Sequence, residues 1–351
     1  MKTVDSRDQS IVTRPVLVIF ELHMMGDAVI SIPFVRAATT KYDVVVICRP
    51  VAAELFAAIL PPDHIITWTP PWAVECGKYR VSAWRTCGWA VVRDQLRKLK
   101  PEAAVCAWAD TRVHWLMALS GARVRVGYPM SRNNYLAWER PWRRRRLRAG
   151  QVLRVLGTAV LAKPLLTHRL TRNTYEQAHL EDWHQLADAL RRQWSEELPW
   201  LAAKPVQESE QYKPLQKLCN SAHASGKKVW LIHSGARMLS KRWPVERFQQ
   251  LVDTVFVPQN IPLVLVKAGD SPCPVARNAN QMVVETPTLR DLIAVTNLAD
   301  CVVCNDSLVS HLASALGKKV VALLGSGSHR WFEPFGNADS VVRAAACPHG
   351  L

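Results

Sequence analysis

The sequence predicts an α/β protein of two doubly wound domains that face each other across a cleft. Three observations predict it. Short apolar runs alternate with segments of helical periodicity along most of the chain. That rhythm breaks between about residues 195 and 226, where Pro199, Pro205 and Pro214 punctuate the chain, and then restarts. Three strand-to-helix junctions carry the small, acidic or basic residues that serve ligands at the C-terminal edge of such sheets. The break divides the chain into residues 1–200 and 201–351.

In the first half, residues 16–20 (VLVIF) read as a buried strand, and 27–40 as a helix with Pro33 near its first turns. Residues 44–48 are the next strand and 51–60 the next helix. A strand at 103–107 and a helix at 111–120 follow. Residues 172–205 are charged and helical in pattern. In the second half the strands fall at 228–233, 262–267, 301–304 and 320–324. The helices between them fall at 245–256, 288–296 and 307–316.

The chain has 351 residues, 49% hydrophobic and 21% charged. This composition excludes a disordered chain, a collagen-like chain and a coiled coil. No apolar run approaches the ~18 residues of a membrane-spanning helix. The start, MKTVDSRDQS, does not read as a signal peptide, and Glu21 and His23 break the apolar run from Val16. Nine Cys in a chain this long are expected to be reduced thiols of a cytoplasmic protein.

The net charge is +16, and most of it is concentrated. Between Arg123 and Arg172 stand twelve Arg and Lys163 against a single acid, Glu139. The densest part, ERPWRRRRLR, contains Arg143, Arg144, Arg145 and Arg146 and is flanked by Trp138 and Trp142. Such a run attracts polyanions: nucleic acid, anionic lipid head groups or a phosphorylated substrate. It reads equally as a solvated basic loop.

Three junctions carry candidate chemistry. Met24-Met25-Gly26-Asp27 follows the first strand, and Asp27 there is either a helix cap or a general base at the cleft. His233-Ser234-Gly235-Ala236-Arg237, followed by Ser240-Lys241-Arg242-Trp243-Pro244, is a small-residue loop with three cations, a plausible phosphate cradle. Cys304-Asn305-Asp306-Ser307 feeds a helix whose N-terminus offers free N–H groups to an anion; Asp306 or Ser307 is its candidate cap. Other chemistries find no support. Cys301 and Cys304 lie three apart on a strand and point to opposite faces, so they do not share a metal. The Walker pattern, the G-x-S-x-G elbow and H-E-x-x-H are absent.

Together the three junctions resemble the ADP-heptose:lipopolysaccharide heptosyltransferase family, glycosyltransferase family nine. M-G-D-A-V-I-S-I-P, Met25 to Pro33, resembles the family's M-G-D or L-G-D helix start. H-S-G-A-R…S-K-R-W-P, His233 to Pro244, is similar to its H-P-G-A…K-x-W-P loop. N-D-S-L-V-S-H-L-A-S-A-L-G-K-K-V-V-A-L-L-G, Asn305 to Gly325, resembles N-D-S-G-x-x-H-L-A-A-A-L-G-x-P-V-V-A-L-F-G, and Arg330 to Gly336 fits the tail. Leu308 stands where the family has Gly, Ser234 where it has Pro, and Ser326-Gly327 where it has Pro-Thr.

The resemblance implies a GT-B fold, two Rossmann-like domains with the active site between them. It implies inverting, metal-independent transfer of heptose from ADP-heptose to a lipopolysaccharide inner-core acceptor, with no cofactor. Residue by residue, Asp27 matches the general base and Lys241 the lysine on the donor phosphate. Asp306 matches the acid near the donor sugar. The Ser307–Leu308 amides match the diphosphate cradle, and His311 the histidine beside it. His233, Ser234, Gly235 and Arg242 belong to the donor loop. Asp270 falls where the family holds the donor ribose, and Thr288 and Leu289 near its adenine pocket. The arginines at 143–146 suit a phosphorylated glycolipid acceptor and an anionic surface at the cytoplasmic face of the inner membrane; no nucleic-acid partner is expected. Two other readings remain open: the same fold with another nucleotide sugar or a non-lipopolysaccharide acceptor, and a non-catalytic polyanion-binding protein.

Overall fold

The structure is a computed structural model. It describes residues 14–73, 87–129, 160, 164–172, 177–192, 195, 197–202, 210–269, 271–325 and 333–343. The arginines at 143–146, with Trp138 and Trp142, lie outside the described residues, as does Asp270.

The first sheet is built from β1 (Val16–Glu21), β2 (Asp43–Cys48), β3 (Ile65–Thr67), β4 (Ala103–Cys106), β5 (Val124–Gly127) and β6 (His168–Arg169). Its helices are α1 (Met25–Thr39), α2 (Trp89–Leu99) and α3 (Thr111–Leu119). Then come α4 (His179–Ala189) and α5 (Lys213–Ala224). The second sheet holds β7 (Trp230–His233), β8 (Leu263–Lys267), β9 (Gln281–Glu285), β10 (Cys301–Asn305), β11 (Lys319–Leu324) and β12 (Val341–Arg343). Among these run α6 (Val245–Leu251), α7 (Leu289–Leu298) and α8 (Leu308–Ala315).

Every described strand pair is parallel. The spatial orders are β3-β2-β1-β4-β5-β6 and β12-β11-β10-β7-β8-β9. Counted from its own first strand, each sheet therefore runs 3-2-1-4-5-6. The order reverses between β1 and β4 in one and between β7 and β10 in the other. Crevices beyond the strand ends at such points are where doubly wound sheets bind ligands. The central strands are apolar on both faces because helices cover both: Leu17–Phe20 and Val302–Cys304 are essentially buried.

The local departures from the sequence reading have physical causes. The expected helix at 51–60 is a 3₁₀ turn, Pro50–Ala52, and one helical turn, Ala53–Phe56. Pro61 and Pro62 follow at once and disfavour helical backbone before them. The helix at 245–256 is α only to Leu251 and winds into a π turn at Val252–Phe256. The inner strand β5, the edge strands β3, β6, β9 and β12 and the helices α2 and α5 escaped the sequence reading. Edge strands are short, and β9 (QMVVE) buries only two of its five residues.

The chain between the sheets ties them together. The α4 helix packs on α1, with Trp183 fully buried and 5.0 Å from Phe34, centroid to centroid. The Trp200 N–H donates to the Ala315 carbonyl at 2.7 Å, and its ring stacks on Phe335 at 4.9 Å. Arg290 at the start of α7 donates its backbone N–H and Nε to Glu54 of the first half, at 3.0 and 2.9 Å.

Beneath α4 lies a wholly buried ion pair. Arg172 donates Nε and Nη2 to the two oxygens of Asp182 at 2.8 and 2.6 Å. Gln177 Nε2 donates to Asp182 at 2.9 Å, and His179 Nδ1 lies 2.9 Å from its other oxygen. The Tyr128 hydroxyl donates to the Asp182 carbonyl at 2.8 Å. A buried charge needs such satisfaction, because its desolvation cost is otherwise not recovered.

Candidate active site

The site forms where the two reversal points meet. From the first sheet, β1 ends at Glu21 and the chain turns through His23 and Met24 into α1. From the second, β7 ends at His233 and β10 at Asn305, and α8 begins two residues after Asp306.

Asp27 is buried and sits in the first turn of α1. The helix cap is Met24, three residues earlier, so the expectation that the helix begins at Asp27 is corrected. Asp27 Oδ2 accepts the Met24 N–H at 3.0 Å. Oδ1 accepts no hydrogen bond among the described residues. One oxygen of this carboxylate closes the helix end, as the cap reading expects. Burial raises its pKa, while His179, the Met24 N–H and Lys241 pull it down and Asp306 pushes it up. Groups of the second half thereby act on a carboxylate of the first.

The contact between the halves explains Gly26. A Cβ placed there would stand 3.0 Å from Cδ2 of His311, on α8. A Cβ there would require that imidazole to give by a few tenths of an ångström. His311 is itself buried, and burial pushes its pKa down to about 4, with Asp306 opposing. It is a neutral ring at physiological pH.

On the second half, Lys241 Nζ pairs with Asp306 Oδ2 at 2.7 Å. Asp306 is buried and Lys241 partly so. Ser307 occupies the cap position of α8 but makes no side-chain cap bond, and its buried Oγ has no partner. The first N–H groups of α8 are therefore not closed off by a capping side chain. Asn305 organises the loops. Its Oδ1 accepts the Trp243 N–H at 2.9 Å and its Nδ2 donates to the Ser234 carbonyl at 2.7 Å. One fully buried amide thus joins the H-S-G and K-R-W-P segments to the end of β10.

The rest of the loop after β7 is fixed locally. Ser234 Oγ donates to the Pro272 carbonyl at 2.6 Å, and Arg242 Nε donates to the Ala236 carbonyl at 2.6 Å. A Cβ on Gly235 would stand 3.0 Å from the His233 ring. Burial pushes His233 down to about 4, and its Nδ1 has no partner. Thr288 caps α7: its Oγ1 accepts the Asp291 N–H at 3.1 Å and donates to the Asp291 carboxylate at 2.6 Å. Leu289, next to it, packs against the core. Lys241, Asp306, Ser307, Leu308 and His311 therefore gather around the start of α8. Thr288 and Leu289 belong to a separate helix start on the same sheet.

Several residues at this site escaped the sequence reading. Glu21 ends β1 with both carboxylate oxygens buried and without a hydrogen-bond partner. Burial, then the charge of Asp27, raises its pKa well above the carboxylate range. The signal was an acid closing an otherwise apolar strand, VLVIFE. His23 stacks on Trp108 at 4.4 Å, and Trp108 lies 4.8 Å from His179. Burial holds His23 near 4.

Glu21 makes a testable linkage. A carboxyl whose pKa is raised on folding stabilises the fold at low pH, and that contribution is lost as pH rises from the unfolded toward the folded value. Glu21→Gln is expected to be more stable than the parent at pH 8, with the difference shrinking toward pH 4. Chemical denaturation at both pH values checks this.

Among the described residues, no helix is long and apolar enough to cross a membrane. Among them too, no cluster of three His, Cys, Asp or Glu could hold a metal ion.

Solved structures resemble the whole chain. Heptosyltransferase WaaC of E. coli with ADP superposes with a TM-score of 0.60 at 16% identity, over 95% of this chain and 94% of that one. ADP-heptose lps heptosyltransferase II of E. coli gives 0.59 at 15% identity, over 95% and 91%. A family 9 glycosyl transferase of Veillonella parvula DSM 2008 gives 0.60 at 13% identity, over 96% and 88%. These likenesses establish the GT-B architecture. No curated protein sequence matches the chain. The model of glycosyltransferase family 9 (heptosyltransferase) matches residues 156–349, more than half of the chain and all of the second sheet. The chain belongs to glycosyltransferase family 9 and is a glycosyltransferase.

Proposed function

We propose that the protein transfers heptose from ADP-heptose to a lipopolysaccharide inner-core acceptor, by an inverting displacement that needs no metal. Residues 1–200 serve the acceptor and residues 201–351 the donor. The observation that carries the reading is the meeting of Asp27 with the start of α8, fixed by the Gly26–His311 approach. WaaC of E. coli has been solved with ADP and with ADP-2-deoxy-2-fluoro heptose, which supports a nucleotide-sugar donor of this class.

In the proposed step the acceptor hydroxyl attacks the anomeric carbon from the face opposite the diphosphate. Its proton passes to Asp27 Oδ1 as the new C–O bond forms and the bond to the diphosphate breaks. The departing charge is met by Lys241 and by the Ser307 and Leu308 N–H groups, preorganised donors that need no rearrangement at the moment of reaction. Asp306 holds Lys241 in place and faces the donor sugar. His311 lines the diphosphate as a neutral imidazole. His233, Ser234, Gly235 and Arg242 shape the donor loop, Asp270 takes the ribose, and Thr288 and Leu289 the adenine. The arginines at 143–146 meet the acceptor or an anionic membrane surface at the cytoplasmic face.

Ligand-induced stabilisation tests the donor. Binding to the folded state alone stabilises by about 2.7 kcal/mol at a hundredfold excess over Kd. ADP is expected to raise the melting temperature, UDP, GDP and CDP to do so much less, and Lys241→Ala to abolish the rise. Selectivity for UDP would replace the donor. Tight, steeply salt-dependent binding of heparin with no response to any nucleotide would favour the polyanion-binding reading.

A further inference from the structure

The start of α7 is completed by a residue of the other half. A helix leaves its first N–H groups without partners of its own. Thr288 closes one of them locally, its Oγ1 accepting the Asp291 N–H at 3.1 Å. The Arg290 N–H is closed from the first half: Glu54 Oε2 accepts it at 3.0 Å, from 236 positions away in the sequence. Glu54 Oε1 accepts Arg290 Nε at 2.9 Å. One carboxylate thus takes both a backbone and a side-chain donor of a single residue. Its negative charge lies at the positive end of the helix, where it is favourable.

Both partners stand on packed backbone. Glu54 belongs to the turn Ala53–Phe56, whose Leu55 and Phe56 are fully buried. The start of α7 is held by the capping box of Thr288 and Asp291 and by buried Leu292 and Val295. The contact therefore depends on how the two halves sit. Unlike the Arg172–Asp182 pair, which has no exposure, it is open to water, with 52% of the Arg290 side chain and 33% of the Glu54 side chain exposed. A pair of this kind is made and broken at small cost.

We propose that Glu54 is a positioning residue for the donor nucleotide. It pins the start of α7, and with it Thr288 and Leu289, against the first half, so the seat for the donor base is complete only while the two halves are together. Glu54 does not touch the reacting atoms; it acts through α7. The inference rests on the proposed reading that Thr288 and Leu289 take the adenine. It adds to that reading a residue of the acceptor half that governs donor affinity.

Calorimetric titration of the full chain with ADP is the test. Glu54→Gln, which keeps the shape of the side chain and removes its charge, is expected to weaken ADP binding about tenfold, the loss of one charge-assisted contact. Arg290→Ala keeps the backbone N–H bond to Glu54 and is expected to weaken binding less. The double variant is expected to bind ADP no more weakly than Glu54→Gln alone, because both changes act on one contact. In transfer, the donor KM of Glu54→Gln is expected to rise by more than kcat falls. The melting temperature of each unliganded variant is expected to stay near that of the parent, which separates positioning from loss of fold. Arg290→Ala carries the test if Glu54→Gln does not fold. ADP affinities of both single variants equal to that of the parent overturn the proposal. So do losses that simply add in the double variant. A parent chain that does not bind ADP removes the donor reading itself, and the positioning role falls with it, an outcome distinct from unchanged affinity in the variants.

Discussion

Asp27→Asn is expected to lower transfer by about 10²–10⁴-fold, the usual contribution of a positioned general base. Asparagine keeps the size of the side chain and, through its amide oxygen, the bond to the Met24 N–H that closes α1. It cannot take a proton at the position of Oδ1. Stabilisation by ADP is expected to survive, because Lys241, Asp306 and the start of α8 are untouched. Single-turnover transfer measured beside ADP-induced thermal shift separates the two effects. Near-normal transfer by a folded variant removes Asp27 from the mechanism. The parent enzyme should also show its carboxylate in the pH profile. Burial raises Asp27 above its ordinary value of 3.8, so activity on the acid side is expected to fall at a higher pH than an exposed aspartate would give. In Asp27→Asn that inflection is expected to be absent from whatever activity remains.

Asp182→Ala is expected to cost about 3–5 kcal/mol of stability, the range found when one partner of a buried ion pair is removed. The variant strands the Arg172 guanidinium, which has no exposure at all, and leaves Gln177 and His179 without the carboxylate they share. Denaturant unfolding measures the loss. Loss of the pair also removes one anchor of α4. His179, which acts electrostatically on Asp27, His23 and His311, loses its carboxylate partner. Transfer is therefore expected to fall along with stability. A variant that unfolds at the parent denaturant midpoint would show that the pair contributes little net free energy.

The parts of the fold legible in the sequence were those where burial on both faces forces a run of apolar residues. The strands β1, β2, β4, β7, β8, β10 and β11 are central or near-central in their sheets and announce themselves this way. Edge strands carry no such run, the inner strand β5 (VRVG) is short and broken by Arg125, and α2 and α5 are covered on one side only. The candidate site was legible where loops are short and lie next to those strands: Gly26-Asp27, His233 to Lys241 and Asn305 to His311. What distance along the chain concealed was the partnership between them. Nothing in the spacing of 26 and 311 tells that a ring lies against that glycine, nor that Asn305 binds Ser234 and Trp243. Glu21 was visible as an acid at the end of an apolar strand, but its isolation from any partner is a property of packing.

The close fit at Gly26 has a mechanical consequence. With only a hydrogen separating the α1 backbone from the His311 ring, the two domains touch there almost at bare main chain. A methyl group at position 26 would act as a wedge, prising the acid of one lobe away from the cation of the other by less than the length of a bond. For a displacement whose reacting atoms must approach within about 3–3.5 Å, Gly26→Ala is expected to lower transfer while the melting temperature stays near that of the parent.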